Sequence, residues 1–123
     1  MAQRQAAGLG RCERPAKRSR GRGRGRLWMS AINVGEVYYF LKKQRTEVLA
    51  ESWREVSRTL PITIEVPTGD DIWNAASLTG RFPISYADAF AAALSQKYHC
   101  PLVTGDPEFR LVDQLKLHWL AKD

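Results

Sequence analysis

Apolar and polar positions alternate between two rhythms along the chain, and each rhythm predicts an element. Leu27-Trp28-Met29 is a short apolar run that suits a buried strand. Ser30 then offers an N-cap, and Ala31 to Lys43 reads as a helix that is apolar almost all round. A second helix follows Thr46, with Val48, Leu49, Trp53, Val56 and Leu60 on one face, until Pro61 breaks it. Ile62, Ile64 and Val66 alternate with Thr63 and Glu65 as a half-exposed strand does. Thr68-Gly69-Asp70-Asp71 has the spacing of a capping box, opening a helix through Leu78. Ser85 opens another, to about Tyr98. Leu102-Val103-Thr104 is a short buried strand, Pro107 to Val112 a helical turn, and Leu115 to Trp119 an alternating edge strand. Strands alternating with helices imply βαβ units and a mainly parallel α/β sheet, whose functional groups collect beyond the carboxyl ends of its strands.

Residues 1–26 have neither rhythm. They hold no large aliphatic or aromatic residue besides Met1 and Leu9, and they end in the repeat Gly21-Arg22-Gly23-Arg24-Gly25-Arg26. A segment so poor in apolar surface cannot offset its ordering entropy, so a disordered tail is expected, with the folded domain over residues 27–123. The repeat reads either as a solvated tail or as an RNA-contacting segment, since guanidinium groups bind phosphate and stack on bases.

Charge sharpens this division. The tail carries nine basic side chains against one acid, Glu13, a net of +8. The other 97 residues carry ten basic and twelve acidic side chains, a net of −2, so the overall +6 describes the tail. Two cysteines, Cys12 and Cys100, suggest no disulfide framework and no metal-ligand spacing, as expected of thiols in a reducing compartment. With no apolar run near the ~20 residues that span a bilayer, and no secretory signal, a cytoplasmic location is expected.

Three carboxylates stand out against this pattern. Glu36 is the only charged residue between Arg26 and Lys42, with Ile32 and Phe40 as its helical neighbours and Asn33 beside it. Asp88 is the only charge between Arg81 and Lys97, and Asp106 follows the buried strand at Leu102-Val103-Thr104. Each has a structural alternative. Glu36 can snorkel or pair, Asp88 sits three residues after the cap Ser85, and Asp106 can cap a turn that begins with Pro107. Glu108, two residues on, can reach the same volume as Asp106. Carboxylates gathered at strand ends repel one another unless a cation lies between them. Hard oxygen donors select Mg²⁺ or Mn²⁺, which activate a phosphodiester toward water. His99 and His118 read as structural.

Met29-Ser-Ala-Ile-Asn-Val-Gly-Glu-Val-Tyr-Tyr39, Ile84-Ser-Tyr-Ala-Asp-Ala-Phe90 and Leu102-Val-Thr-Gly-Asp-Pro-Glu-Phe109 resemble, in order and spacing, the later motifs of PIN domains. Among these they look most like the VapC-type toxins of toxin–antitoxin pairs. The resemblance implies a PIN-like three-layer α/β fold and a Mg²⁺- or Mn²⁺-dependent endoribonuclease, usually a homodimer, held by a cognate antitoxin. By motif, Glu36, Asp88 and Asp106 match the family's acidic metal site, with Asn33, Ser85 and Thr104 as supporting polar positions and Glu108 as a further acid nearby. The family's pattern begins with a central strand ending in Asp, followed by a helix, ahead of the segment that matches Leu27. Residues 1–26 contain no aspartate, so the fold is expected to lack the usual first strand. The abrupt change at Leu27 is what a truncated gene, a shifted reading frame or a wrong start would leave. A catalytically inactive remnant that binds partners, or an RNA-binding protein acting through its Arg/Gly tail, are the alternative readings.

Overall fold

The computed structural model describes residues 8–9, 27–113 and 115–120. The described elements run β1 (Gly8–Leu9), β2 (Leu27–Ser30), α1 (Ala31–Lys43), α2 (Glu47–Val56), β3 (Ile62–Glu65), α3 (Gly69–Arg81), α4 (Tyr86–Tyr98), β4 (Leu102–Thr104), a 3₁₀ helix (Pro107–Leu111) and β5 (Leu117–Trp119). The α/β class expected from the alternating pattern is the class observed. Apart from Gly8–Leu9, the expected disorder of residues 1–26 lies outside the described residues.

Local chemistry sets most boundaries. Ser30 accepts from the Ile32 N–H at 3.1 Å and starts α1. At α3 the capping box is complete: Asp71 N–H donates to Thr68 Oγ1 at 3.2 Å and Thr68 N–H to Asp71 Oδ2 at 2.8 Å. α3 runs three residues past Leu78, through Gly80, and stops where Pro83 holds Phe82 in extended backbone at φ −125°, ψ 151°. α2 stops at Val56, short of the expected Leu60. Two hydroxyls there take up helix carbonyls, Ser57 Oγ bonding Arg54 O at 3.3 Å and Thr59 Oγ1 bonding Val56 O at 2.9 Å. Side-chain competition of this kind loosens the last turn before Pro61 ends it.

Among the described residues the strands form two sheets. β2 and β3 pair in parallel, Leu27 opposite Ile62 and Ser30 opposite Glu65, and form one sheet. The other has the order β1-β4-β5, with β5 parallel to β4 at its edge and β1 antiparallel, Gly8 opposite Val103. β1 lies beside β2 as well as β4. Between the two parallel pairs, where the resemblance places a full central strand, the described residues include two, running opposite to β4. Two of the three strand pairings are parallel, but they lie, among the described residues, in two sheets and not in the single one expected, and the basic segment does contribute a short strand.

α4 is the centre of the molecule. Eight successive residues, Asp88 to Ser95, are buried, and the helix packs against α3, α1, β2 and β4. Ala89, Ala91, Ala92 and Ala93 carry no side chain beyond a methyl group, which lets backbones approach from every side. Leu78, Ile84, Phe90, Leu94, Leu102, Phe109 and Val112 complete the core. α1, equally apolar by sequence, buries only Asn33 fully. The apolar face of α2 also stays in solvent, with Val48 81 % and Leu49 55 % exposed, while Ala50 and Ser57 turn inward. Cys100 is buried and disulfide-bonded, which corrects the expectation of a reduced thiol there.

Candidate metal centre

Two helix starts and one strand end build the site. Ser85 caps α4, its hydroxyl accepting from the Asp88 N–H at 3.1 Å. The reciprocal bond from Ser85 N–H to the Asp88 carboxylate, which completes the box at Thr68, is not formed, so capping does not occupy the Asp88 side chain. Asp88 is 4 % exposed in the first turn of the most buried helix.

Asp106 leaves β4 through a small turn. Its N–H donates to the buried Thr104 hydroxyl at 3.0 Å, and its Oδ1 accepts from the Glu108 N–H at 3.0 Å. Asp106 thereby caps the 3₁₀ helix, with Pro107 at its start, and one carboxylate oxygen is left over for another role. The same turn swings Glu108 back toward α4.

Asp88, Asp106 and Glu108 each present a carboxylate oxygen, all three within 4.8 Å of one another, graded from buried through half-buried to exposed. Like charges at this spacing repel, so the arrangement favours a cation among them. The donors are hard oxygens, and neither histidine belongs to the group, a set that suits Mg²⁺ or Mn²⁺.

The predicted positions divide as follows. Asp88 and Asp106 come together, and Glu108, expected as a supporting acid, joins them as a third donor. Glu36 is half-buried and stands outside the group of three; Asn33 Nδ2 lies 3.5 Å from its Oε1. Asn33 is fully buried, and its Nδ2 donates to Ala87 O at 2.9 Å, one residue before Asp88. Its Oδ1 takes no hydrogen bond among the described residues. A buried acceptor in that state fits an oxygen donor to a cation or to an ordered water. Ser85 is used as a cap, and Thr104 orients the backbone of Asp106.

No helix among the described residues is long and apolar enough to cross a membrane. No curated protein and no solved structure shows significant similarity to the chain. A family model described as "PIN domain" matches residues 11–115, so the match reaches into the basic segment as well as covering every motif named above. PIN domains are generally metal-dependent nucleases, and an acidic cluster at a strand end is where such chemistry needs its ligands. With that match over most of its length, a mixed α/β architecture and converging carboxylates, the chain belongs to the PIN-domain family.

Proposed function

We propose that this chain is a Mg²⁺- or Mn²⁺-dependent endoribonuclease of the VapC type, the toxin of a toxin–antitoxin pair. The observation that carries the reading is the convergence of Asp88, Asp106 and Glu108 within 4.8 Å in a PIN-domain chain. A bound divalent cation would supply Lewis-acid activation of the phosphodiester and of the attacking water. The protein's part is to hold the donors. Thr104 and Pro107 set the turn that aims Asp106 and Glu108, Ser85 fixes the start of α4 under Asp88, and Asn33 ties that start to α1. Glu36, whose Oε1 lies 3.5 Å from Asn33 Nδ2, would act on a bound cation through water and not as a direct ligand.

The substrate is RNA by family resemblance, with the arginines of residues 1–26 adding phosphate contacts. Exposed apolar side chains support the partners in this reading, a second copy of the chain and an antitoxin. Tyr39 on α1 is 55 % exposed and Val48 on α2 is 81 % exposed, apolar side chains that a partner could cover.

A second reading draws on the split sheet. Among the described residues the two residues of β1 stand between the parallel pairs, and residues 1–26 contain no Asp, so an inactive PIN remnant that still binds partners is the alternative. Cleavage of a mixed RNA pool by the full chain, with Mg²⁺ or Mn²⁺ and with EDTA, separates the two. Activity that needs the metal and vanishes in Asp106→Asn is expected. Metal binding without cleavage would favour the remnant, and cleavage indifferent to EDTA and to Asp106→Asn would sink the nuclease reading.

A further inference from the structure

The sheet end that carries Asp106 also carries an indole and a guanidinium. β5 lies parallel to β4 with Trp119 opposite Thr104, and the Leu120 N–H donates to Thr104 O at 3.0 Å. A Cβ placed on Gly105 would meet Leu120 Cβ at 3.8 Å, so the two chains stay together past the strand ends. Trp119 therefore stands beside the backbone leading into Asp106, one strand spacing (~5 Å) across and two residues (~7 Å) along. Arg110 approaches from the 3₁₀ helix, two residues after Glu108. Its guanidinium carbon lies 4.1 Å from the centroid of the Trp119 ring, closer than in the other cation–ring pairs among the described residues.

What this pair leaves unused is informative. Among the described residues Arg110 makes no ion pair and no side-chain hydrogen bond, although two acids of the cluster belong to its own turn. Trp119 keeps 37 % of its surface in solvent. Contact with the ring holds the guanidinium in place, and its N–H groups, in the fork that suits phosphate, make no hydrogen bond among the described residues. The open indole surface is a platform on which a base of any identity can stack.

We infer that Arg110 and Trp119 form a holding platform for single-stranded RNA beside the carboxylate cluster, Arg110 taking a phosphate next to the scissile one and Trp119 stacking on the adjoining base. The inference rests on the nuclease reading above and adds the residues that place the strand. Both are positioning residues and do not touch the reacting atoms.

The test is equilibrium binding of a fluorescein-labelled single-stranded RNA of about 10 nucleotides to the full chain in EDTA, over a series of salt concentrations. Trp119→Ala should weaken binding by about 5- to 100-fold with its salt dependence intact, and Trp119→Phe should restore most of the affinity. Arg110→Ala should weaken binding and lower the slope of log affinity against log salt by about 0.7, whereas Arg110→Lys keeps the slope. Mn²⁺ affinity, measured by calorimetry, should not change in any of the four. Unchanged RNA affinity and slope in Trp119→Ala and Arg110→Ala, in a parent that binds Mn²⁺ and cleaves RNA, would overturn the platform alone. So would a Trp119→Phe variant as weak as Trp119→Ala. A parent that binds neither Mn²⁺ nor RNA would overturn the nuclease reading and the platform with it.

Discussion

The side-chain amide of Asn33 donates to the backbone carbonyl of Ala87 at 2.9 Å, across 54 residues of chain, and joins the first turn of α1 to the first turn of α4. Asn33 is the one fully buried residue of α1, so a polar contact helps to locate that helix against the core. Because Asp88 follows Ala87, the same bond locates a candidate metal donor. Asn33→Ala should cost about 1–3 kcal/mol by leaving a buried cavity and breaking the bond. It should also weaken Mn²⁺ binding. A thermal melt and a calorimetric titration on the same preparation check both, and a fall in stability with metal affinity intact would show that the bond serves packing only.

Metal should stabilise the fold through the carboxylate group. Saturating Mn²⁺ at about 100 times its dissociation constant adds roughly 2.7 kcal/mol, seen as a rise in melting temperature that EDTA reverses. Asp88→Asn, Asp106→Asn and Glu108→Gln should each lose most of that rise. Glu36→Gln should lose less, because Glu36 stands outside the group of three. Removing the charge of the exposed Glu108 should leave the metal-free protein no less stable, whereas Asp106→Asn weakens a cap. An equal loss in Glu36→Gln would place Glu36 among the direct ligands.

The opposite end of α4 carries a charge network with its own pH signature. Lys97 Nζ lies 3.2 Å from Glu65 Oε2 and 3.2 Å from Asp71 Oδ1. Burial pushes the Asp71 carboxyl up, but bonds from Thr68 and Lys97 outweigh it and hold the group below the ordinary aspartate value of 3.8. Burial likewise pushes Lys97 down, and Asp71 and Glu65 outweigh it and raise the ammonium above 10.5. A depressed carboxylate stabilises the fold above its unfolded pKa and loses that contribution as pH falls through the folded one. A raised ammonium stabilises below its unfolded pKa and loses that contribution as pH rises through the folded one. Melting temperature should therefore be little affected by this network between pH 5 and 9 and fall on both sides. Asp71→Ala should cost about 1 kcal/mol at pH 7 through the lost cap, and steepen neither limb. An acid limb unchanged by Asp71→Asn would assign acid unfolding to other carboxylates.

The arginines before Leu27 should hold RNA without cutting it. Replacing Arg22, Arg24 and Arg26 by serine should reduce the salt slope of RNA binding by up to about 2, at roughly 0.7 per phosphate contact. The cleavage rate at saturating RNA should not change. An unchanged slope would mean that the folded residues, Arg110 among them, hold the strand by themselves.

β1 covers one edge of β4 with two residues. Deleting residues 1–10 should uncover that edge, lower the melting temperature and promote concentration-dependent association, which sedimentation velocity would detect. A deletion variant as stable and as monodisperse as the parent would show that β1 adds nothing to the sheet.

Much of the site was legible in the sequence because single acids in apolar segments are conspicuous. Asp88 and Asp106 showed themselves by isolation and by their place at a helix start and a strand end, and Glu108 by its spacing from Asp106. The starts of α1, α3, α4 and the 3₁₀ helix were legible for a local reason: Ser30, Thr68, Ser85 and Asp106 each bond a backbone N–H within three residues, so the information lies in adjacent side chains. Other features depend on contacts far apart in the chain, and only the tertiary structure decided them. α1 and α4 look equally apolar, yet α4 became the buried helix because its alanines admit neighbours on all sides. Glu36 falls outside the group of three carboxylates, which no spacing within α1 encodes. Arg110 and Trp119 came together only when β5 paired with β4, a register set by backbone hydrogen bonds between segments that the sequence shows merely as a turn and an edge strand.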